Sequence, residues 1–97
     1  MNIAGYNFEG PWLLGTNFNK VPGVYVVFTA QRWLDVGETD NAEQRLNGEN
    51  HDRKPQWLLN SNRLPISIAF LRVDNPQFRL TIESQLRQTL VPVCGEK

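Results

Sequence analysis

GVYVVFTAQRWLDVGETDNAEQR, residues Gly23 to Arg45, reads as strand, turn, strand and helix entry. Val24 to Thr29 and Arg32 to Val36 are runs of β-branched and aromatic residues. The link between them, Thr29-Ala30-Gln31, is too short for a crossover helix, so the two runs are expected to pair antiparallel. Alternation places Tyr25 and Val27 on one face and Val24, Val26 and Phe28 on the other. On the second run Trp33, Asp35 and Gly37 are expected to share a face. Gly37-Glu38-Thr39-Asp40 reads as a helix start, with Asp40 as cap and Glu43 completing a capping box. The short helix that follows has Ala42, Arg45 and Leu46 on neighbouring positions and ends at Gly48.

Beyond this core, GENHDRKP is a polar loop, and Pro55 can open a second short helix holding Trp57, Leu58 and Leu59. Ile66 to Val73 is apolar on both faces, as a central strand covered on two sides would be. The last helix has Asn75 as cap and Pro76 at the tolerated first position. Phe78, Ile82, Leu86 and Leu90 then form a stripe predicted to pack on the sheet, and Pro92 stops the helix. Residues 1–20 hold Tyr6, Phe8, Trp12 and Phe18 without sustained period and read as an arm folded over the core; the alternative is a homodimer contact through Trp12. The predicted fold class is α/β of the α+β kind, a small three-stranded, mostly antiparallel sheet flanked by helices in one domain over residues 1–97.

Ten basic and ten acidic side chains cancel, which argues against tight non-specific nucleic-acid binding but leaves room for a cleft of positive charge. A 40% apolar composition with five phenylalanines, three tryptophans and two tyrosines is that of a folded domain. The single cysteine, Cys94, allows no internal disulfide and fits a reducing cytosol. No apolar run approaches the ~18 residues of a membrane span, and the opening MNIAGYNFEG lacks the regions of a secretory leader. The expectation is a cytoplasmic protein with no membrane partner.

The order of elements resembles the GIY-YIG nuclease core, over roughly residues 22–95. Gly23-Val24-Tyr25 is similar to its first motif, Gly37-x-Thr39-x-Asn41 continues as the second motif does, and Arg45 falls at the arginine of the following helix. Asp35 stands where that family has its second tyrosine. RLTIESQL is similar to the segment bearing the family's metal-binding glutamate, which would be Glu83. Pro92-Val93-Cys94-Gly95 occupies the place of Pro-x-x-Asn, with Gly95 at the asparagine, and His51 lies two residues from the family's histidine. DVGE and PxCG together also resemble a group of short GIY-YIG-like proteins.

The resemblance implies a metal-dependent endonuclease-like domain acting on nucleic acid, DNA ahead of RNA. Its catalytic residues would be Tyr25, Asp35, Arg45 and Glu83, with Arg45, His51 and Arg53 on the substrate. Glu83 would hold one Mg²⁺ or Mn²⁺, Arg45 would clamp the phosphodiester, and Tyr25 would orient or activate the attacking water. Asp35 has three roles open to it: a second metal ligand, a general base, or a partner that neutralises Arg45. The rival class is a catalytically silent domain of the same type that binds nucleic acid or protein.

Each candidate also has an ordinary structural reading. Tyr25 can be a half-buried sheet tyrosine, and Arg45 can pair on the surface with Glu49. Glu83 can belong to a solvated ladder with Arg79 and Arg87 at i−4 and i+4. His51 can be a plain loop residue and Cys94 a packing residue.

Overall fold

The predicted hairpin is present in the main sheet of a computed structural model that describes residues 1–47 and 53–95. In chain order the elements are β1 (Asn2–Ile3), β2 (Tyr6–Asn7), β3 (Glu9–Leu13), β4 (Gly23–Phe28), β5 (Trp33–Thr39), α1 (Ala42–Leu46), α2 (Lys54–Asn60), β6 (Ser67–Arg72) and α3 (Pro76–Leu90). The fold is α+β: a four-stranded antiparallel sheet in the order β3-β6-β4-β5, with β1 and β2 as a separate two-stranded sheet.

The main sheet therefore has four strands where three were expected. The added strand, β3, comes from the N-terminal arm and pairs with β6 through Trp12↔Ile68 and Leu13↔Ser67. All five of its residues are exposed, so no alternation marks it in the sequence. Pro11 is tolerated because an edge strand leaves one side of its backbone unpaired. The free edge of β6, itself apolar and buried, is what recruits this segment.

β4 and β5 pair as expected, closed by the Thr29 amide on the Arg32 carbonyl at 2.9 Å. β5 runs on to Thr39, through the residues read as a helix start, because Gly37, Glu38 and Thr39 find partners in Tyr25, Val24 and Gly23. The cap consequently moves from Asp40 to Asn41, whose side chain accepts from the Gln44 amide at 3.1 Å. The register shifts between Val27↔Asp35 and Phe28↔Trp33, leaving Leu34 as a bulge residue. Trp33 is thereby turned to the other face, away from Asp35 and Gly37.

The two faces have separate cores. Tyr25, Val27, Leu34, Ile68 and Phe70 pack with Ala42 and Leu46 of α1 and Trp57 of α2. Val24, Val26, Val36 and Ala69 pack with Leu86 of α3 and with Ile3 and Phe8. β6 is buried on both faces, as its sequence predicts. On α2 Trp57 is buried while Leu58 and Leu59 are exposed.

α3 is capped by Asn75, which accepts from the Gln77 and Phe78 amides, and ends in a left-handed residue, Val91, before Pro92. Its buried stripe is rotated from the expected one. Leu86 is fully buried and Ile82 and Leu90 are partly so, but Phe78 is 63% exposed. Arg79 is buried instead, its guanidinium on Glu38 at 3.0 Å and on the carbonyls of Val73 and Asp74. Among the described residues, no helix is long and apolar enough to cross a membrane. Leu86→Ala is expected to cost about 2–5 kcal/mol in denaturant unfolding, as a buried leucine does. Phe78→Ala should stay within about 0.5 kcal/mol of wild type, as exposed substitutions do; the reverse ranking would contradict this packing.

Candidate functional site

β5 forms one edge of the main sheet, and its backbone is covered rather than left open. The Val93 amide donates to the Trp33 carbonyl at 3.2 Å and the Cys94 amide to the Leu34 carbonyl at 2.8 Å, laying the C-terminal tail along the strand. The Arg87 guanidinium takes the next carbonyl, that of Val36. A groove of about 1000 Å³ opens here between α1, α2, α3 and the tail. Arg45, Arg53, Arg87 and Glu83 give it its charge, and Val91 and Pro92 an apolar wall.

Asp35 lies under this groove with no solvent exposure. A buried carboxylate is stable only when paired and hydrogen-bonded, and four donors meet it. The Trp57 indole N–H donates to Oδ2 at 2.8 Å, and the Val36 amide to Oδ1 at 2.8 Å. Arg87 Nη2 reaches Oδ1 at 2.8 Å, and Arg53 lies 3.3 Å from both oxygens, through Nε and Nη1. The pairing weighed from sequence, Asp35 with Arg45, is therefore replaced by Asp35 with Arg53 and Arg87. Oxygens engaged by four donors are also unsuited to serve as a second metal ligand or a general base.

Tyr25 is fully buried as well, not half-buried at a rim. Arg45 Nε donates to its hydroxyl at 3.3 Å, and Trp57 packs edge-on to its ring at 6.5 Å between centroids. A Cβ at Gly37 would overlap that hydroxyl, so the phenol fits only because position 37 is glycine. Burial pushes the Tyr25 pKa up, against the opposing pull of Arg45. The phenol is thus no base at neutral pH; it acts on the groove through Arg45.

Glu83 is the groove's carboxylate. The ladder weighed as its alternative role does not form: Arg79 is taken by Glu38, and Arg87 by Asp35. Among the described residues no cation lies within ion-pair distance of Glu83. Partial burial raises its pKa, Arg87 draws it back down, and Glu38 adds repulsion.

The four candidate catalytic residues thus gather in one place but in two layers. Arg45 and Glu83 line the groove, while Tyr25 and Asp35 lie beneath it, each touching an arginine of the lining. Arg53 joins them as read from sequence, and His51 lies outside the described residues. Arg87 and Trp57 were missed. Their signal was Asp35 itself, a carboxylate within an apolar strand run that had to be paired, with Arg87 one turn beyond Glu83 on the same helix. Gly95, read as a lost asparagine, has φ +90 and sits so close that a Cβ would overlap Arg53, Arg87 and Asp35. Gly95 thus lies beside Asp35, the other position at which the sequence differs from the motifs it resembles. Cys94 is buried, as read, with burial the main cause of its raised pKa and Asp35 adding to it.

Among the described residues no three His, Cys, Asp or Glu side chains come together as metal ligands. Comparisons with family models, curated proteins and solved structures return no match to this chain.

Two measurements check this geometry. Asp35→Ala leaves two partly buried arginines without their carboxylate and should cost about 3–5 kcal/mol, with Trp57→Phe costing about 1–3 kcal/mol; unchanged unfolding midpoints would contradict the cluster. The raised pKa of Glu83 means that the folded state holds its proton to higher pH than the unfolded state does. Relative to Glu83→Gln, wild type should therefore lose stability as pH rises from the ordinary 4.5 through the raised value, and show no such loss below it. A stability difference independent of pH would contradict the burial of Glu83.

Proposed function

We propose that this chain is a GIY-YIG-like domain whose groove binds a nucleic-acid phosphodiester, DNA ahead of RNA, and hydrolyses it slowly with one divalent ion. The observation that carries this reading is Arg45, held by the buried Tyr25 hydroxyl, in the same groove as a carboxylate that is in no ion pair among the described residues. A guanidinium oriented through Nε can meet phosphate oxygens and offset charge that builds on them. Tyr25 is a positioning residue here, not a base.

Glu83 fits one hard cation. Mg²⁺ and Mn²⁺ accept a single protein carboxylate and fill their other positions with water and phosphate oxygens. With one carboxylate the ion is held weakly, and its affinity rises with pH as Glu83 loses its proton. When bound, such an ion supplies Lewis-acid stabilisation of the leaving oxygen. Arg87 favours the ionised Glu83 that this requires. The single cysteine fits a cytosolic setting.

A second reading has its own support: Asp35 is spent on Arg53 and Arg87, and the chain as a whole carries no net charge. On this reading the domain binds nucleic acid or a protein partner without cutting.

Calorimetric Mn²⁺ titration and cleavage of labelled duplex and single-stranded DNA test the proposal. Wild type should bind Mn²⁺ weakly and cut slowly, and Glu83→Gln should abolish both while leaving the fold intact. Metal-dependent cutting that survives Glu83→Gln overturns the site. DNA binding with no Mn²⁺ uptake and no cutting favours the second reading.

A further inference from the structure

α3 ends in a conformation that its last residue does not favour. Val91 closes the helix in the left-handed region, at φ 50 and ψ 62, with its amide on the Arg87 carbonyl at 3.1 Å. Among the described residues Ala4, Asn62 and Arg63 also have positive φ without being glycine, and of these and Val91 only Val91 is β-branched. A side chain branched at Cβ crowds the backbone there, which is why this cap position usually carries glycine or asparagine. Nor does the core gain from the valine, because Val91 is 72% exposed. Strain that burial does not offset points to a use outside the fold.

Its position gives that use a direction. Val91 and Pro92 are the apolar wall of the groove that holds Arg45 and Glu83. Arg45 also lines a smaller polar pocket with Glu38 and Arg79, and Glu38 is close enough to Glu83 to repel it. The Arg45 and Glu83 site therefore lies toward the Arg79 side of the groove. Val91 lies at the opposite side, a little over two turns beyond Glu83, which is about 12 Å along the axis at the α-helical rise. The groove thus has a charged end and an apolar end, with the hydroxyl of Ser84 and the amide of Gln88 along the helix between them. A nucleotide matches that division: a phosphate for the charged end, a flat apolar face for the wall, and a polar base edge for the groups between. A base reaches such a wall only when it is unstacked, which single strands allow and duplexes oppose.

We propose that Val91 and Pro92 form a platform for one unstacked base, so that the groove's ligand is single-stranded nucleic acid and not duplex. This rests on reading Arg45 and Glu83 as the phosphodiester site. Val91 is a binding residue in this arrangement, and the left-handed cap is what presents its side chain to the groove.

The test measures two labelled DNAs, a short oligothymidylate and a blunt duplex, by fluorescence anisotropy in metal-free buffer, so that the answer does not depend on an ion at Glu83. The proteins are wild type, Val91→Gly and Val91→Asn, with a melting temperature recorded for each. Wild type should bind the single strand more tightly, against the charge density that favours duplex for a purely electrostatic binder. Glycine and asparagine both suit a left-handed cap, so both variants should melt at or above the wild-type temperature. Both should nevertheless bind the single strand about fivefold more weakly, the scale of losing one partly covered valine side chain, with duplex affinity nearly unchanged. Weaker binding without loss of stability separates a ligand contact from a structural cap. Three results overturn the platform and leave the Arg45 and Glu83 site standing: duplex bound as tightly as the single strand or more so, single-strand affinity unchanged in both variants, or affinity that falls only where the melting temperature falls too. Absence of wild-type binding to either DNA overturns both readings.

Discussion

One buried carboxylate holds this structure's working parts together. Asp35 sits on an edge strand with no contact with water, in a position whose desolvation would be prohibitive without partners. Its partners are drawn from Trp57 in α2, Arg53 before α2, Arg87 in α3 and the strand's own amide at Val36. Because α2 and α3 cover opposite faces of the sheet, a single charge ties both layers to the strand between them. The tail follows, since Arg87 also binds the Cys94 carbonyl and Gly95 packs on the same cluster.

That constraint sets what the groove can do. The Asp35 oxygens are engaged by donors and serve as structure, which leaves the groove itself to the side chains above. The charged ones are three arginines and Glu83. A chain with no net charge thus gathers three arginines at one groove, where the local potential differs from what the overall charge suggests. The same two-layer logic governs Tyr25. A buried phenol with a raised pKa contributes by holding Arg45 in place, and Gly37 is the glycine that makes room for it.

The rotation of α3 has a related origin. An apolar stripe predicts which face of a helix is buried only when apolar contact is all that the surroundings offer. Here the N-terminal turn of α3 meets Glu38 and the carbonyls of Val73 and Asp74, so Arg79 turns inward and Phe78 turns out. Further along, apolar packing regains control at Leu86, and Arg87 follows it to the Asp35 cluster.

By itself the sequence determined the elements whose signals are local: the β4–β5 hairpin, the two-sided β6, the capped α3 with its proline stop, and the gathering of Tyr25, Asp35, Arg45 and Glu83 that the GIY-YIG resemblance implied. Periodicity, caps and turn chemistry act over a few residues, so they can be read along the chain. Only the tertiary structure decided that β3 joins the sheet, that Leu34 bulges and turns Trp33 away from Asp35, and that Asp35 goes to Arg53 and Arg87 instead of Arg45. An exposed edge strand has no pattern of its own, and a bulge depends on the register of its partner strand. The choice among several arginines for one carboxylate is settled by which guanidinium the packed helices bring within reach, a distance that no spacing in the sequence encodes.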